Sequence, residues 1–339
     1  MTLRHFLTTL DYSKEELLDL LELIRSLKVA DQGGYTPKLL PGASLAMIFE
    51  EPSTRTRISF EVAMTKLGGH ALYLKPGEIH LGGYESLSDT AIVISRMVDV
   101  IMARTLEHKT MTGLAEAATV PVINGLTDYT HPTQVVGDVF TMLEHKLPDK
   151  KMEDLTLTFI GSGTGSVMSS LMFMTTKMGM NFNLATPDKY RPPQDWVESA
   201  ERNCDMSAGT VTVTADVDAA VENADFIYTD LWWWVDMEDQ IPERRAAFMP
   251  NYQINIDLLK KAPAHCKVMH CLPASRGVEA TDEALDSPQS IIFDQSENRL
   301  HAEKGILTWM VYPRLKQPSE QFKVEVTSKV ESFLDRWLG

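Results

Sequence analysis

The sequence predicts an α/β protein built as two doubly wound parallel-sheet domains of similar size, ending in a C-terminal helix. Three observations carry this expectation. Apolar runs of strand length alternate with segments of helical period. The alternation stops at the polar, proline-marked stretch PDKKMED, residues 148–154, and then restarts. The final segment sets Phe322, Val326, Val330, Phe333 and Trp337 at helical spacing. The chain therefore divides into 1–147, 151–312 and a helical segment 313–339 that packs back on the first domain or on a neighbouring subunit.

In the first half the strands are SLAMIFE (44–50), HALYL (70–74), VDVIMAR (98–104) and VPVING (120–125), with helices expected from about Ser53 and from Pro132 towards Leu147. In the second half they are LTLTFI (155–160), NFNLATP (181–187), TVTVTA (210–215), DFIYTD (225–230), CKVMHCLP (266–273) and SIIFDQ (290–295). No internal repeat or low-complexity segment interrupts this order.

A chain of 339 residues, 44% hydrophobic and 23% charged, has the composition of an ordered globular protein. No run of eighteen apolar residues is present and the N-terminal stretch lacks a signal-peptide core, so a cytoplasmic protein without a membrane partner is expected. Its cysteines, Cys204, Cys266 and Cys271, are odd in number and follow no disulfide spacing, which suits a reducing compartment. With 32 basic against 47 acidic residues the net charge is −15, which argues against nucleic acid as a partner and favours cationic small molecules.

Against that acidic background Ser53-Thr54-Arg55-Thr56-Arg57 is conspicuous. It follows a strand and opens a helix, whose first turn offers unpaired N–H groups and the positive end of the macrodipole. Hydroxyls and a forked guanidinium beside that terminus make a phosphate site. His131-Pro132-Thr133-Gln134 occupies a second strand-to-helix junction, and Arg104 ends a strand on the same sheet edge. These donors can be aimed at one carbonyl oxygen.

Three motifs of the second half admit more than one use. His270-Cys271-Leu272-Pro273 closes a strand: a zinc ligand pair and a cysteine nucleophile are conceivable, but no ligand spacing and no activating partner supports either. A Leu-Pro turn there can instead present carbonyls to an amine. Gly161-Ser162-Gly163-Thr164-Gly165 approaches a dinucleotide fingerprint with Asp188 beyond the next strand, and motivates a rival NAD-dependent oxidoreductase. Its expected third glycine is Ser166, and any doubly wound half needs small residues in that turn. Asp230-Leu231-Trp232-Trp233-Trp234 is either a packing cluster or a substrate loop with a carboxylate for an ammonium and an aromatic wall.

STRTR, HPTQ and HCLP, in that order over two α/β halves, resemble the carbamoyltransferases, most closely their ornithine and putrescine branch. ENRLH, Glu297 to His301, and the Arg104 strand add to the likeness, which covers nearly the whole chain. The resemblance implies that the first domain binds carbamoyl phosphate and the second an amine, with neither metal nor cofactor. It also implies a homotrimer with active sites shared between subunits. Ser53, Thr54, Arg55 and Thr56 would hold the phosphate and Arg299 would complete the anion site. Arg104, His131 and Gln134 would hold the carbamoyl group. Cys271 and Leu272 would lie beside both substrates, with Asp230, Trp233 and Trp234 around the amine. Catalytic roles would fall to Arg55, Arg104, His131 and Cys271, and His80 would reach the phosphate of a neighbouring subunit where the family usually has glutamine. Two departures from the ornithine pattern point to putrescine. Trp234, Val235 and Asp236 stand where ornithine enzymes carry Ser-Met-Gly, with Asp236 repelling a carboxylate. Gly165 and Ser166 stand where the family's head-group asparagine falls. Ornithine carbamoyl transfer is the alternative acceptor chemistry, and an inactive relative the non-enzymatic one. An enzyme of this kind, run in reverse, would serve agmatine degradation.

Overall fold

The computed structural model describes residues 3–79, 81 and 83–338, without the side chains of Val235 and Asp236. His80, expected to contact phosphate, lies outside the described residues.

The first sheet contains β1 (Ser44–Phe49), β2 (His70–Leu74), β3 (Val100–Arg104) and β4 (Val122–Leu126) in the order β2-β1-β3-β4. The second contains β5 (Thr156–Ile160), β6 (Asn181–Ala185), β7 (Thr210–Thr214), β8 (Phe226–Thr229) and β9 (Lys267–His270) in the order β7-β6-β5-β8-β9. Every pairing in both sheets is parallel. Parallel strands need crossovers and bury both faces, which is why β1 and β3 read as nearly continuous apolar runs.

The first half carries α1 (Lys14–Gln32), α2 (Thr54–Lys66), α3 (Leu87–Ser95), α4 (His108–Ala117) and α5 (Pro132–His145). The second carries α6 (Ser166–Met178), α7 (Gln194–Ser207), α8 (Val217–Val221), α9 (Ile241–Phe248), α10 (Ile256–Leu259) and α11 (Asp282–Leu285). Two long helices end the chain, α12 (Ile292–Val311) and α13 (Glu320–Leu338). In each sheet the strand order reverses direction near β1 and β5, and strand ends of this kind face a common crevice.

The expected strand SIIFDQ is corrected. Only Ser290 bridges to Val268 beside β9, and from Ile292 the chain is helical. A short apolar run bounded by polar residues has no periodicity that separates a buried strand from the first turn of a buried helix. Helix α12 packs against α1, α2 and α5 of the first half, with Gly305 close enough to Ile24 that a Cβ would fall 2.3 Å from its Cγ1. The absence of a side chain there is what lets the two helices approach.

Helix α13 has no buried residue.

Candidate active site

Phe49, at the end of β1, is the register partner of Arg104 at the end of β3, so the two strands deliver the anion motif and an arginine to one edge. Ser53 takes the N-cap of α2 in extended geometry but makes no side-chain cap bond. Its hydroxyl and the first-turn amides therefore remain available to an anion at the positive end of a thirteen-residue helix. Arg55, in the first turn, lines the same crevice and makes no side-chain hydrogen bond or ion pair among the described residues. Burial lowers its pKa; Cys271 and Asp230 oppose that, while Arg299 adds to it. Arg104 has a buried Nε without a partner. Burial pulls its pKa down to about 10, partly offset by Glu51 and reinforced by Arg299 and Arg55.

His131 caps α5, with Pro132 fixing the first helical turn as the sequence suggested. Burial, then the charges of Arg299, Arg104 and Arg55, hold it well below the usual imidazole range, so it is neutral at pH 7. Its backbone N–H donates to Ser170 Oγ at 2.7 Å, which ties the start of α5 to α6 of the second half. Arg299 reaches in from α12: Nη1 donates to Gln134 Oε1 at 2.5 Å, and Nη2 donates to Glu303 at 2.6 Å and Thr56 Oγ1 at 3.4 Å. Burial raises Glu303 to about 7, against the pull of Arg299. Three arginines gathered around a buried crevice, with Arg299 lowering the proton affinity of both Arg55 and Arg104, are a site charged in advance for a dianion.

The opposite wall is the end of β9. Leu272 takes φ 57°, a left-handed conformation that costs a branched residue about 1–2 kcal/mol. The turn is held from beneath. Leu272 N–H donates to His270 Nδ1 at 2.8 Å, and His270 Nε2 meets Glu279 at 3.2 Å, both residues being buried. Since the amide can only donate, Nδ1 accepts and Nε2 carries the proton. His270 thus supports the HCLP turn and has no free lone pair for use as a base. Cys271 donates from Sγ to Asp230 Oδ1 at 3.1 Å. Burial and that carboxylate push the thiol well above its ordinary pKa. The donor atoms of Asp230, His270 and Cys271 lie within 4.8 Å of one another, the one such metal-sized cluster among the described residues. With the His270 lone pair taken by Leu272 N–H, it is not an open ligand set.

The tryptophan run divides between the two uses its sequence allowed. Trp232 is buried, stacks on Phe248 with centroids 5.1 Å apart, and its carbonyl accepts from Arg244 at 2.9 Å. Trp233 and Trp234 line the crevice, a cavity of about 540 Å³.

That cavity gathers Ser53, Thr54, Arg55, Thr56, Arg104, His131, Gln134, Trp233, Trp234, Cys271, Leu272 and Arg299. Every described residue expected at the site lines it except Asp230, which sits behind Cys271 with Oδ1 also accepting from Leu231 N–H at 2.8 Å. Among the wall residues that were not anticipated are two acids, Glu51 and Glu238. Glu51 sits beside the STRTR motif; Glu238 follows the tryptophans in a 3-10 turn with no motif of its own. Arg57 leaves the cavity: it stacks over Tyr73 at 4.0 Å and pairs with Glu61.

The glycine-rich turn is filled by the chain itself. Gly163 N–H donates to Tyr190 O at 2.9 Å, and a Cβ on Gly163 would fall 2.7 Å from Pro192 N. Its glycine admits a neighbouring loop, which accounts for the motif without a dinucleotide.

Comparison with known proteins agrees with this geometry. Residues 4–144 match the family described as aspartate/ornithine carbamoyltransferase, carbamoyl-P binding domain, and residues 153–310 match its Asp/Orn binding domain. Putrescine carbamoyltransferase of Mycoplasma capricolum is 52% identical over 340 aligned residues, covering 98% of this chain and 93% of the relative. The anabolic ornithine carbamoyltransferase of Pyrococcus furiosus is 46% identical, covering 90% and 95%. A solved structure of ornithine carbamoyltransferase from Pyrococcus furiosus superposes with a TM-score of 0.88 at 45% identity, over 92% of this chain and 98% of that one.

Proposed function

Since the chain belongs to the aspartate/ornithine carbamoyltransferase family and is a carbamoyltransferase, we propose that its acceptor is putrescine, giving N-carbamoylputrescine and phosphate. One observation carries the choice of acceptor. Among the described residues, the one cation that the second half contributes to the cavity wall is Arg299, which is committed to Gln134, Glu303 and Thr56 on the phosphate side; around the amine the second half offers Trp233, Trp234, Glu238 and the Cys271-Leu272 backbone. An α-carboxylate would find no partner there, whereas a second ammonium finds aromatic faces and a carboxylate. The 52% identity to a protein named putrescine carbamoyltransferase supports the same reading. Initial rates with putrescine and ornithine, measured side by side, test it.

In the reaction the amine nitrogen attacks the carbonyl carbon of carbamoyl phosphate, the carbonyl oxygen takes up negative charge, and the C–O bond to phosphate then breaks. The proton released by the amine ends on the departing phosphate, since the nearby His270 and Cys271 are committed to hydrogen bonds. Arg55, Ser53, Thr54 and the α2 terminus hold the phosphate, and Thr56, Arg104 and neutral His131 face the developing oxyanion. Gln134 Oε1 accepts from the carbamoyl NH₂. Position and fixed charge supply the acceleration.

The enzyme is proposed to be a cytoplasmic homotrimer with His80 of one subunit serving the site of the next. No helix among the described residues is long and apolar enough to cross a membrane. An apolar groove beside the anion helix, with exposed Ile58 and Val62 next to Tyr73, and the uncovered apolar stripe of α13 both support self-association. Run in reverse, the same site makes carbamoyl phosphate from N-carbamoylputrescine and phosphate, the direction suited to agmatine degradation.

A further inference from the structure

Beneath the cavity floor lies a set of buried polar side chains that the chemistry above does not use. Asp138, one turn beyond Gln134 on α5 and fully buried, accepts at Oδ1 from Gln134 Nε2 at 2.7 Å and from Gln295 Nε2 at 2.7 Å. Its Oδ2 accepts from Tyr228 Oη at 3.0 Å. Gln295 in turn accepts the backbone N–H of His270 at 2.9 Å, and its amide also donates to Tyr228 Oη at 3.0 Å. These residues come from α5, β8, β9 and α12, so one carboxylate receives donors tied to both walls of the crevice.

The chemistry of the partners fixes the geometry. An arginine can only donate and an ionised aspartate can only accept, so Gln134, held between Arg299 and Asp138, has one allowed amide orientation: Nε2 down, Oε1 towards Arg299 and the cavity. Released from Asp138 the amide keeps only its contact with Arg299 and can swing about it, so the acceptor that faces the carbamoyl NH₂ is no longer held in place. On the other branch, Gln295 holds the first residue of the HCLP turn. If that amide loses its anchor, the Cys271-Leu272 backbone loses its depth relative to the phosphate helix.

We propose that Asp138 is a positioning residue: it sets the amide of Gln134 on the carbamoyl side and, through Gln295, the end of β9 on the amine side, so that both substrates meet in register. The inference rests on the carbamoyl-transfer reading. It assigns to Asp138 no contact with either substrate.

The test compares Asp138→Ala, Asp138→Asn and Gln295→Leu in the full-length enzyme, with wild type assayed alongside for phosphate release and with carbamoyl phosphate binding measured by calorimetry. An inactive wild type would refute the carbamoyl-transfer reading itself; the variants address only Asp138. Misplacement of a reacting group by about 1 Å costs about 100-fold, and Asp138→Ala is expected to lose about that much kcat. Asp138→Asn keeps an oxygen for both amides and can donate to Tyr228, so it should restore kcat to within about fivefold of wild type, given the order-of-magnitude effects typical of supporting partners. Gln295→Leu cuts only the amine branch and should raise KM for the amine about tenfold while carbamoyl phosphate binding stays within about twofold. A purely structural Asp138 would instead lower stability in all three variants and leave kcat and both KM values of the folded fraction unchanged. That result overturns the proposal. Should Asp138→Ala fail to fold, the selective KM effect in Gln295→Leu still decides: its absence overturns the proposal equally.

Discussion

Arg55 and Arg57, two residues apart in the first turn of α2, serve opposite faces of the helix: Arg55 lines the cavity, while Arg57 stacks on Tyr73 outside it. The pair is a built-in control. Arg55→Ala should lower kcat/KM by about 100-fold or more, since a donor aimed at developing charge is worth about 2.7–4 kcal/mol. Arg57→Ala should leave transfer within about threefold, its exposed ion pair contributing at most about 1 kcal/mol to stability. Both proteins should keep the wild-type circular dichroism spectrum. Equal losses in the two variants, or wild-type turnover in folded Arg55→Ala, would count against the assignment.

The acceptor depends on an amine-side wall without an uncommitted cation. A buried carboxylate left unpaired costs about 1–3 kcal/mol, so putrescine should exceed ornithine in kcat/KM by about tenfold to a hundredfold. Removing the carboxylate in Glu238→Gln should raise KM for putrescine several-fold and leave KM for carbamoyl phosphate alone. Comparable use of both amines by wild type would transfer the assignment to ornithine.

Cys271 is a protonated thiol at neutral pH, held there by burial and by Asp230. It was expected from the family resemblance to share in catalysis. A thiol without a thiolate fraction is a poor nucleophile and base, so we propose that its part is to shape the wall. Cys271→Ser should keep kcat within about tenfold, and iodoacetamide should modify Cys271 far more slowly than the partly exposed Cys204. Rapid alkylation of Cys271 coupled to loss of activity is the outcome that would restore a chemical role.

On α13, Phe322, Val326, Val330, Phe333 and Trp337 form one stripe, with Trp337 73% exposed. Such a face is left in water only at a cost of about 25 cal/mol per Å² of apolar surface, which is why we place a neighbouring subunit over it. Deleting residues 319–339 should shift the proposed trimer towards monomer at low protein concentration, seen by light scattering. A truncated enzyme that dissociates no more readily than wild type would remove the helix from the assembly.

Much of this site is legible in the order of the amino acids alone. STRTR, HPTQ and HCLP each sit where a strand stops and a sharp turn follows, and such punctuation is written locally in proline, hydroxyl and β-branched residues. The splitting of the tryptophans is not, because three adjacent indoles give no clue to which one turns inward. Glu238 escapes for a similar reason: an acid in a loop carries no period. Asp138, Gln295, Tyr228 and Glu303 are invisible as a group, since their partners are far away in the chain and a buried polar residue in an apolar helix looks like an isolated exception. The SIIFDQ segment misleads because its neighbours, not its own pattern, decide between strand and helix.

The long helix α12 comes near the end of the chain and completes the packing of α1, α2 and α5, which come from its first half. During synthesis, therefore, the first domain emerges from the ribosome well before its covering helix exists. A nascent chain stopped at the interdomain boundary would expose the apolar faces that Ile306, Leu307 and Val311 later bury. Folding of the first domain is thus timed by translation of the second, and a chain cut between the halves should need both pieces present together before either gives a stable, soluble product.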